Sequence, residues 1–232
     1  MLLSGDGQTS FIETDGATLH VAHRTGAPTV GLLHGLAGTA DEWSDVTDHL
    51  PHDVGIIAPD LRAHGRSRVT TVEGLTAEAF TSDIATIIET LSDEPVVLVG
   101  QSMGGVIATR VAAQHPDLVA HLVLIDAGIA ALDEDLTDLT HWLQTSETGH
   151  DHDSMLAVIR AVGDDDRSDE WASITAPVSV ILAQESLVDP HDVAAMRQLQ
   201  PDTTWVSVLQ TGHDVHLDRP TAVAARLAEV IG

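Results

Sequence analysis

Ser102 stands in the run PVVLVGQSMGG, from Pro95 to Gly105. Four β-favouring apolar residues, Val96 to Val99, lead into Gly100-Gln101-Ser102-Met103-Gly104, and the chain reads as a helix from Val106 onward. That order is strand, sharp turn, helix. Such a turn forces the serine into a strained backbone position with its hydroxyl above the sheet, and the flanking glycines keep Cβ atoms out of the crowded crossing. Ser102 is therefore the candidate nucleophile. A serine hydroxyl attacks poorly at neutral pH and needs an adjacent base, usually histidine, itself oriented by a carboxylate. Of the 14 histidines, His213 is the candidate base. It closes Gln210-Thr211-Gly212-His213 just past the last predicted strand, on the carboxyl edge where open α/β sheets collect catalytic groups. His216, three residues on, is expected to start the closing helix in a packing or capping role.

These residues need elements to hold them. Two alternating runs, Ser10–Thr14 and Thr18–Arg24, flank Asp15-Gly16 and predict a hairpin. Continuous apolar runs at Thr29–Leu33, Val54–Pro59 and Val96–Val99 predict buried strands, and further strands are expected at Leu122–Ile125, Val178–Leu182 and Thr203–Leu209. Between them, helices are expected from Thr39 or Asp41 to Leu50, from Thr76 through Leu91, from Met103 to His115, from Asp192 to Leu199 and from Pro220 to Ile231. This alternation predicts an α/β fold: a mostly parallel sheet of about eight strands with helices on both faces. From Gly128 to Thr175 no strand-like run appears, and helical pieces at Leu136–Leu143 and Met155–Val162 predict a helical cap inserted after the sixth strand. The expected division is a core of residues 1–127 and 177–232 with a cap over 128–176.

Composition narrows the function classes. The chain has 232 residues, 43% hydrophobic, with no cysteine for a disulfide and no apolar run long enough for a membrane helix. The start, MLLSGDGQTS, lacks the basic and apolar regions of a secretory signal, so a soluble cytoplasmic protein is expected. With 36 acidic residues against 10 basic ones the net charge is −26, and every basic residue is arginine. Such a surface repels nucleic acid and anionic lipid, leaving a small molecule as the expected partner. Absence of lysine and an excess of Asp over Glu fit a protein kept soluble at high salt; codon bias in a GC-rich genome is the alternative.

Taken together, His34-Gly35 after the third strand, the loop Asp60-Leu61-Arg62-Ala63-His64-Gly65-Arg66-Ser67, the turn Gly100–Gly105, and Gly212-His213 with His216-Leu217-Asp218-Arg219-Pro220 resemble the α/β-hydrolase fold superfamily. The second motif is similar to the family's D-x-R-G-H-G-x-S, with Ala63 in place of a glycine. The resemblance implies an oxyanion hole built from the backbone N–H groups of Leu36 and Met103, each worth on the order of 3 kcal/mol to a tetrahedral intermediate. It implies no cofactor and no metal. Serine at the turn speaks against dehalogenase or epoxide hydrolase chemistry, in which a carboxylate attacks.

For the third triad member the resemblance points to the loop after the seventh strand, where Glu185 occupies the aligned position. Asp126, at the end of the sixth strand, is the alternative acid used by some members, and Asp189 is expected to cap the following helix. The implied reaction is hydrolysis of an ester or thioester of a small uncharged or hydrophobic acyl group through an acyl-enzyme. Alternatives are C–C bond or lactone hydrolysis, an elimination like that of the menaquinone-pathway synthase, or a non-catalytic ligand-binding protein of the same fold. His34, Trp142 and Trp171 are candidates for lining the substrate site. Asp60, Arg62 and His64 are expected to form a buried network behind it, and His150-Asp151-His152-Asp153 carries no metal-ligand spacing.

Overall fold

The computed structural model describes residues 7–71, 74–131, 137–146 and 149–232. Among these residues nine strands form one sheet in the order β1-β2-β4-β3-β6-β7-β8-β9, with β5 beside β2. The strands are β1 (Gln8–Thr14), β2 (Ala17–Arg24), β3 (Thr29–Leu33), β4 (Gly55–Pro59), β5 (Arg68–Val69), β6 (Val96–Gln101), β7 (Val119–Ile125), β8 (Val178–Ala183) and β9 (Thr204–Val208). β1 pairs β2 in the expected antiparallel hairpin around Asp15-Gly16, and β2 pairs β4 antiparallel. From β4 across to β9 every pairing is parallel. The ninth strand, absent from the sequence expectation, is the two-residue β5, too short for any periodicity to reveal.

The central strands read as unbroken apolar runs because both their faces are covered. In β6, Val96 and Leu98 belong to one buried cluster and Val97 and Val99 to the other. The first cluster lies under α2 (Ala77–Leu91) and α3 (Met103–Gln114); the second lies under α1 (Ser44–Thr47) and α9 (Pro220–Ile231). α2 begins at its expected cap, where Thr76 Oγ1 accepts from the Ala79 amide at 3.2 Å. The helix expected up to Leu50 is shorter, a 3-10 turn at Ala40–Trp43 running into α1.

Between β7 and β8 the chain forms α4 (Thr137–Thr145), α5 (His152–Gly163) and α6 (Ser168–Ser173); the expected start of the first helix at Leu136 lies outside the described residues. Met155, Val158, Val162 and Trp171 from this segment share the buried cluster of α3. α7 (Pro190–Leu199) starts at Asp189, whose carboxylate accepts from the His191 amide at 2.7 Å, the capping role expected of it. α8 (Val215–Asp218) precedes α9. Among the described residues no helix is long and apolar enough to cross a membrane.

Burial sharpens the charge imbalance. Four of the ten arginines, Arg24, Arg62, Arg110 and Arg167, are buried, whereas the buried acids among the described residues are Asp60, Asp83 and Asp126. The charge left facing solvent is thus strongly negative, and its self-repulsion opposes the compact state until salt screens it. The midpoint of thermal unfolding is expected to rise from low to molar KCl; a flat curve would rule out repulsion as a stability term.

Candidate active site

β6 runs straight into the turn at Ser102, whose backbone sits at φ 50°, ψ −120° before α3 begins. A non-glycine residue there stores roughly 1–3 kcal/mol of strain, and packing holds it. A Cβ on Gly100 would fall 2.3 Å from the Gly104 carbonyl oxygen, and one on Gly104 would fall 2.4 Å from that of Leu33. Only glycine lets α3 cross β6 and the Leu33–His34 backbone this closely. The Ser102 amide donates to Ile125 O at 3.0 Å, tying the turn to the end of β7.

The next residue of β7's exit, Asp126, also turns left-handed, at φ 47°. Its buried carboxylate faces His213, whose Nδ1 lies 2.8 Å from Asp126 Oδ2. The other oxygen accepts from the Ala183 amide at 3.0 Å, and Oδ2 also accepts from Leu187 N at 3.1 Å. Burial pushes the Asp126 carboxyl up, but the hydrogen bonds from His213, Ser186 and the two amides outweigh it and hold its pKa below the ordinary aspartate value. An ionised carboxylate only accepts, so His213 Nδ1 is the donor of this contact, and in that tautomer of the neutral ring the lone pair lies on Nε2.

Glu185, the acid favoured from sequence, does not meet His213. Its side chain is exposed, and its backbone amide donates to Thr211 O at 3.1 Å. The last residue of β8 and the loop after it contribute the Ala183 and Leu187 amides to the Asp126 carboxylate. Alignment distance favoured Glu185 because it counts residues along the chain, while the left-handed exit from β7 brings Asp126 across 87 positions of sequence. The supporting donors Ser186, Ala183 and Leu187 carried no sequence signal.

The His213 loop is braced from several sides. Thr211 Oγ1 donates to Val208 O at 2.8 Å and accepts from Gln184 N at 3.3 Å, and the Gly212 amide donates to Asp218 at 2.8 Å. His216 is buried on Trp43, with ring centroids 4.6 Å apart, and Nε2 is 3.7 Å from Glu42. That is the packing role expected of it.

The loop after β3 carries the two remaining features. Leu36 and Ala37 form its tip, with Ala37 at φ 58°, and the Gly38 amide closes the turn on Gly35 O at 3.2 Å. Gly104 rests against the backbone of Leu33 and His34, so the base of this loop adjoins the start of α3. Met103 opens that helix, where the first amides have no intrahelical acceptor. His34 was a candidate substrate contact, but it is fully buried and both ring nitrogens are occupied. Nε2 accepts from the Leu61 amide at 2.9 Å, leaving Nδ1 to donate to Gly35 O at 2.7 Å. Burial lowers its pKa, consistent with a neutral ring that shapes the loop. Trp171 is likewise buried, its Nε1 donating to Met196 O at 3.0 Å, so it packs the core rather than lining a site; Trp142 remains exposed on α4.

Behind the site, Asp60, Arg62 and His64 form the expected buried network. Asp60 accepts from Ala40 N at 2.8 Å and from Arg66 N and Nε at 2.9 Å, and His20 Nδ1 lies 3.1 Å away. Arg62 forks onto both oxygens of buried Asp83 at 2.7 Å. His64 packs between His34 and His150 with tilted rings, at centroid distances of 5.0 and 5.3 Å. His150 Nε2 accepts from the Gly65 amide at 3.1 Å and Asp151 caps α5, accepting from Ser154 N at 2.9 Å, so these two members of the His150–Asp153 run have structural partners.

Residues 28–150 match the family model described as alpha/beta hydrolase fold. Among relatives, the chain is 40% identical to "Lipase LipV" of Mycobacterium tuberculosis over 106 residues, covering 46% of this chain and 40% of that protein. It is 38% identical to protein phosphatase methylesterase 1 of Rattus norvegicus over 106 residues, covering 43% and 27%. The chain thus spans less than half the length of these relatives. In fold it is similar to an esterase from Exiguobacterium antarcticum, with a TM-score of 0.86 at 18% identity over 97% of this chain and 99% of that one. It is also similar to the thioesterase domain from the curacin biosynthetic pathway, with a TM-score of 0.77 at 22% identity over 97% and 100%.

One departure from the family pattern has a measurable cost. Ala63 stands where the family motif has glycine, and its φ is 63°, a left-handed conformation that costs an L-residue roughly 1–2 kcal/mol. Glycine relieves this but enlarges the unfolded ensemble. Ala63→Gly is expected to raise stability by about 0.5–1 kcal/mol in urea unfolding; an unchanged or lower midpoint would mean that the methyl group contributes packing that outweighs the strain.

Proposed function

Because the chain belongs to the α/β hydrolase fold family, we propose that it is a serine hydrolase that cleaves an ester or thioester of a small uncharged or hydrophobic acyl group. The observation that carries this reading is the pairing of His213 with buried Asp126 on the sheet edge where the strained turn presents Ser102. His213 Nε2 takes the Ser102 proton as Oγ attacks the carbonyl carbon. Asp126 holds the ring in the productive tautomer and stabilises the imidazolium that forms. The amides of Leu36 and Met103 receive the developing oxyanion. His213 then passes the proton to the leaving group, and activates the water that releases the acyl group and regenerates Ser102.

The acyl preference rests on the negative shell, which repels polyanionic substrates. Relatives bearing the names lipase, methylesterase, esterase and thioesterase are in keeping with acyl transfer to water. A panel of p-nitrophenyl acyl esters with Ser102→Ala as control tests the proposal. Turnover with a burst of nitrophenol is expected in the parent and none in the variant; binding without turnover in both would replace the hydrolase reading with a ligand-binding one.

The two candidate acids separate cleanly. Asp126→Asn removes the acceptor that selects the tautomer and is expected to lower kcat on the order of 10³–10⁴-fold. Glu185→Gln is expected to leave kcat within about twofold, since its carboxylate is exposed and unpaired with His213. The lowered pKa of Asp126 also stabilises the fold above the ordinary aspartate value, and that contribution is lost as pH falls through the folded pKa. A large loss in Glu185→Gln with full activity in Asp126→Asn would reverse the assignment.

A further inference from the structure

We propose that Gln101, the residue before Ser102, is a positioning residue that registers the proposed base against the nucleophile turn and the oxyanion loop; this rests on the serine-hydrolase reading above. Gln101 ends β6 on the face shared by Val97 and Val99 and is buried. Its Nε2 lies 3.3 Å from His213 O and 3.3 Å from Asp214 Oδ1. A carboxamide nitrogen has two N–H donors, and here one goes to the main chain of the proposed base and the other to the side chain that follows it.

The other end of the same amide reaches the opposite wall. A Cβ built on Gly35 would fall 2.2 Å from Gln101 Oε1 and 3.4 Å from Ser102 Cβ. The bare Cα of Gly35 is therefore the space that Gln101 occupies, and the next residue, Leu36, carries the proposed oxyanion amide. One planar group spans from the His213 loop to the Gly35–Gly38 turn, with its backbone joined to Ser102. Asp126 orients the His213 ring, but nothing in that contact sets how far the ring's own backbone stands from Ser102. Gln101 supplies that distance. Both donor contacts are long for N–H···O bonds, so their value lies in shared geometry; misplacement by about 1 Å costs on the order of 10²-fold in rate.

Gln101→Met keeps length and volume but donates nothing. Its kcat on a p-nitrophenyl ester is expected to fall ten- to a hundredfold per active site titrated with an organophosphonate, with KM within about twofold and the thermal midpoint little changed. A merely structural role would reduce the titratable fraction without changing kcat per site. Gln101→Glu keeps the shape but sets a carboxylate against Asp214, and is expected to fall below Gln101→Met. Gly35→Ala should displace the amide and reproduce the loss, yet add little in a Gln101→Ala background, where the methyl group has room. Should Gln101→Met fail to fold, the Gly35→Ala and Gln101→Ala pair carries the test alone. Unchanged kcat per site in Gln101→Met, or additive losses in the Gly35/Gln101 pair, would overturn the inference. Hydrolysis and phosphonate labelling that survive Ser102→Ala, or that are missing from the parent, would remove the hydrolase reading and this inference with it. Both lost in Ser102→Ala with Gln101→Met unaffected would remove the inference alone.

Discussion

A serine at φ 50°, ψ −120° is not a conformation that a free chain holds; the surroundings must cost more to disturb than the strain releases on relaxing. Here the constraint is the close crossing of β6 by α3. Gly104 lies on the backbone of Leu33 and His34, Gly100 lies under Gly104, and the Ser102 amide is held by Ile125. The first contact joins the turn to β3 on one side and the last joins it to β7 on the other, while the second closes the turn on itself. The turn therefore relaxes only if the centre of the sheet comes apart, and the strain at Ser102 is supported by the burial of Val97, Leu98, Val99, Val123 and Leu124.

Two buried aspartates organise what surrounds that crossing, by one physical rule. Asp60 and Asp126 are each desolvated, which alone would neutralise them, and each is kept ionised by several donors converging on two oxygens. Asp60 draws together Ala40, Arg66 and His20, closing the loop behind the site. Asp126 draws together Ala183, Leu187 and His213, closing the loop in front. In both places the carboxylate is the hub and the backbone amides are the spokes. An uncompensated loss of either carboxylate would leave buried N–H groups without acceptors.

Much of the parallel sheet was legible because buried parallel strands are recorded as unbroken apolar runs, and capping residues such as Thr76 and Asp189 mark helix starts by local chemistry. The serine turn was legible for the same reason, since its glycines answer a steric demand confined to five residues. What stayed open was non-local. Asp126 stood beside Glu185 as the alternative acid, but its pairing with His213 depends on a left-handed exit from β7, and no neighbouring residue announces that a lone aspartate will adopt φ 47°. His34 and Trp171 looked like site residues because their types are chemically able; the structure spends that ability on Gly35, Leu61 and Met196. The two-residue β5 and the 3-10 turn at Ala40–Trp43 are too short to produce a period at all.

The origin of the His213 partner has a consequence for how this chain can change. Because the carboxylate sits at the end of β7, a central strand, the six-residue stretch from 184 to 189 serves it through the main-chain N–H of Leu187 and the Ser186 hydroxyl. Main-chain donors are supplied by every amino acid except proline. The loop beside the proposed base is therefore open to mutational drift at exposed Glu185 and Leu187, where side chains can be exchanged while the geometry at His213 persists, whereas Gln184 is tied to the His213 loop by accepting from the Gln210 amide at 2.9 Å. A lineage could reshape the mouth of the site through this segment without passing through inactive intermediates, a freedom denied to a chain whose acid sits in the loop itself.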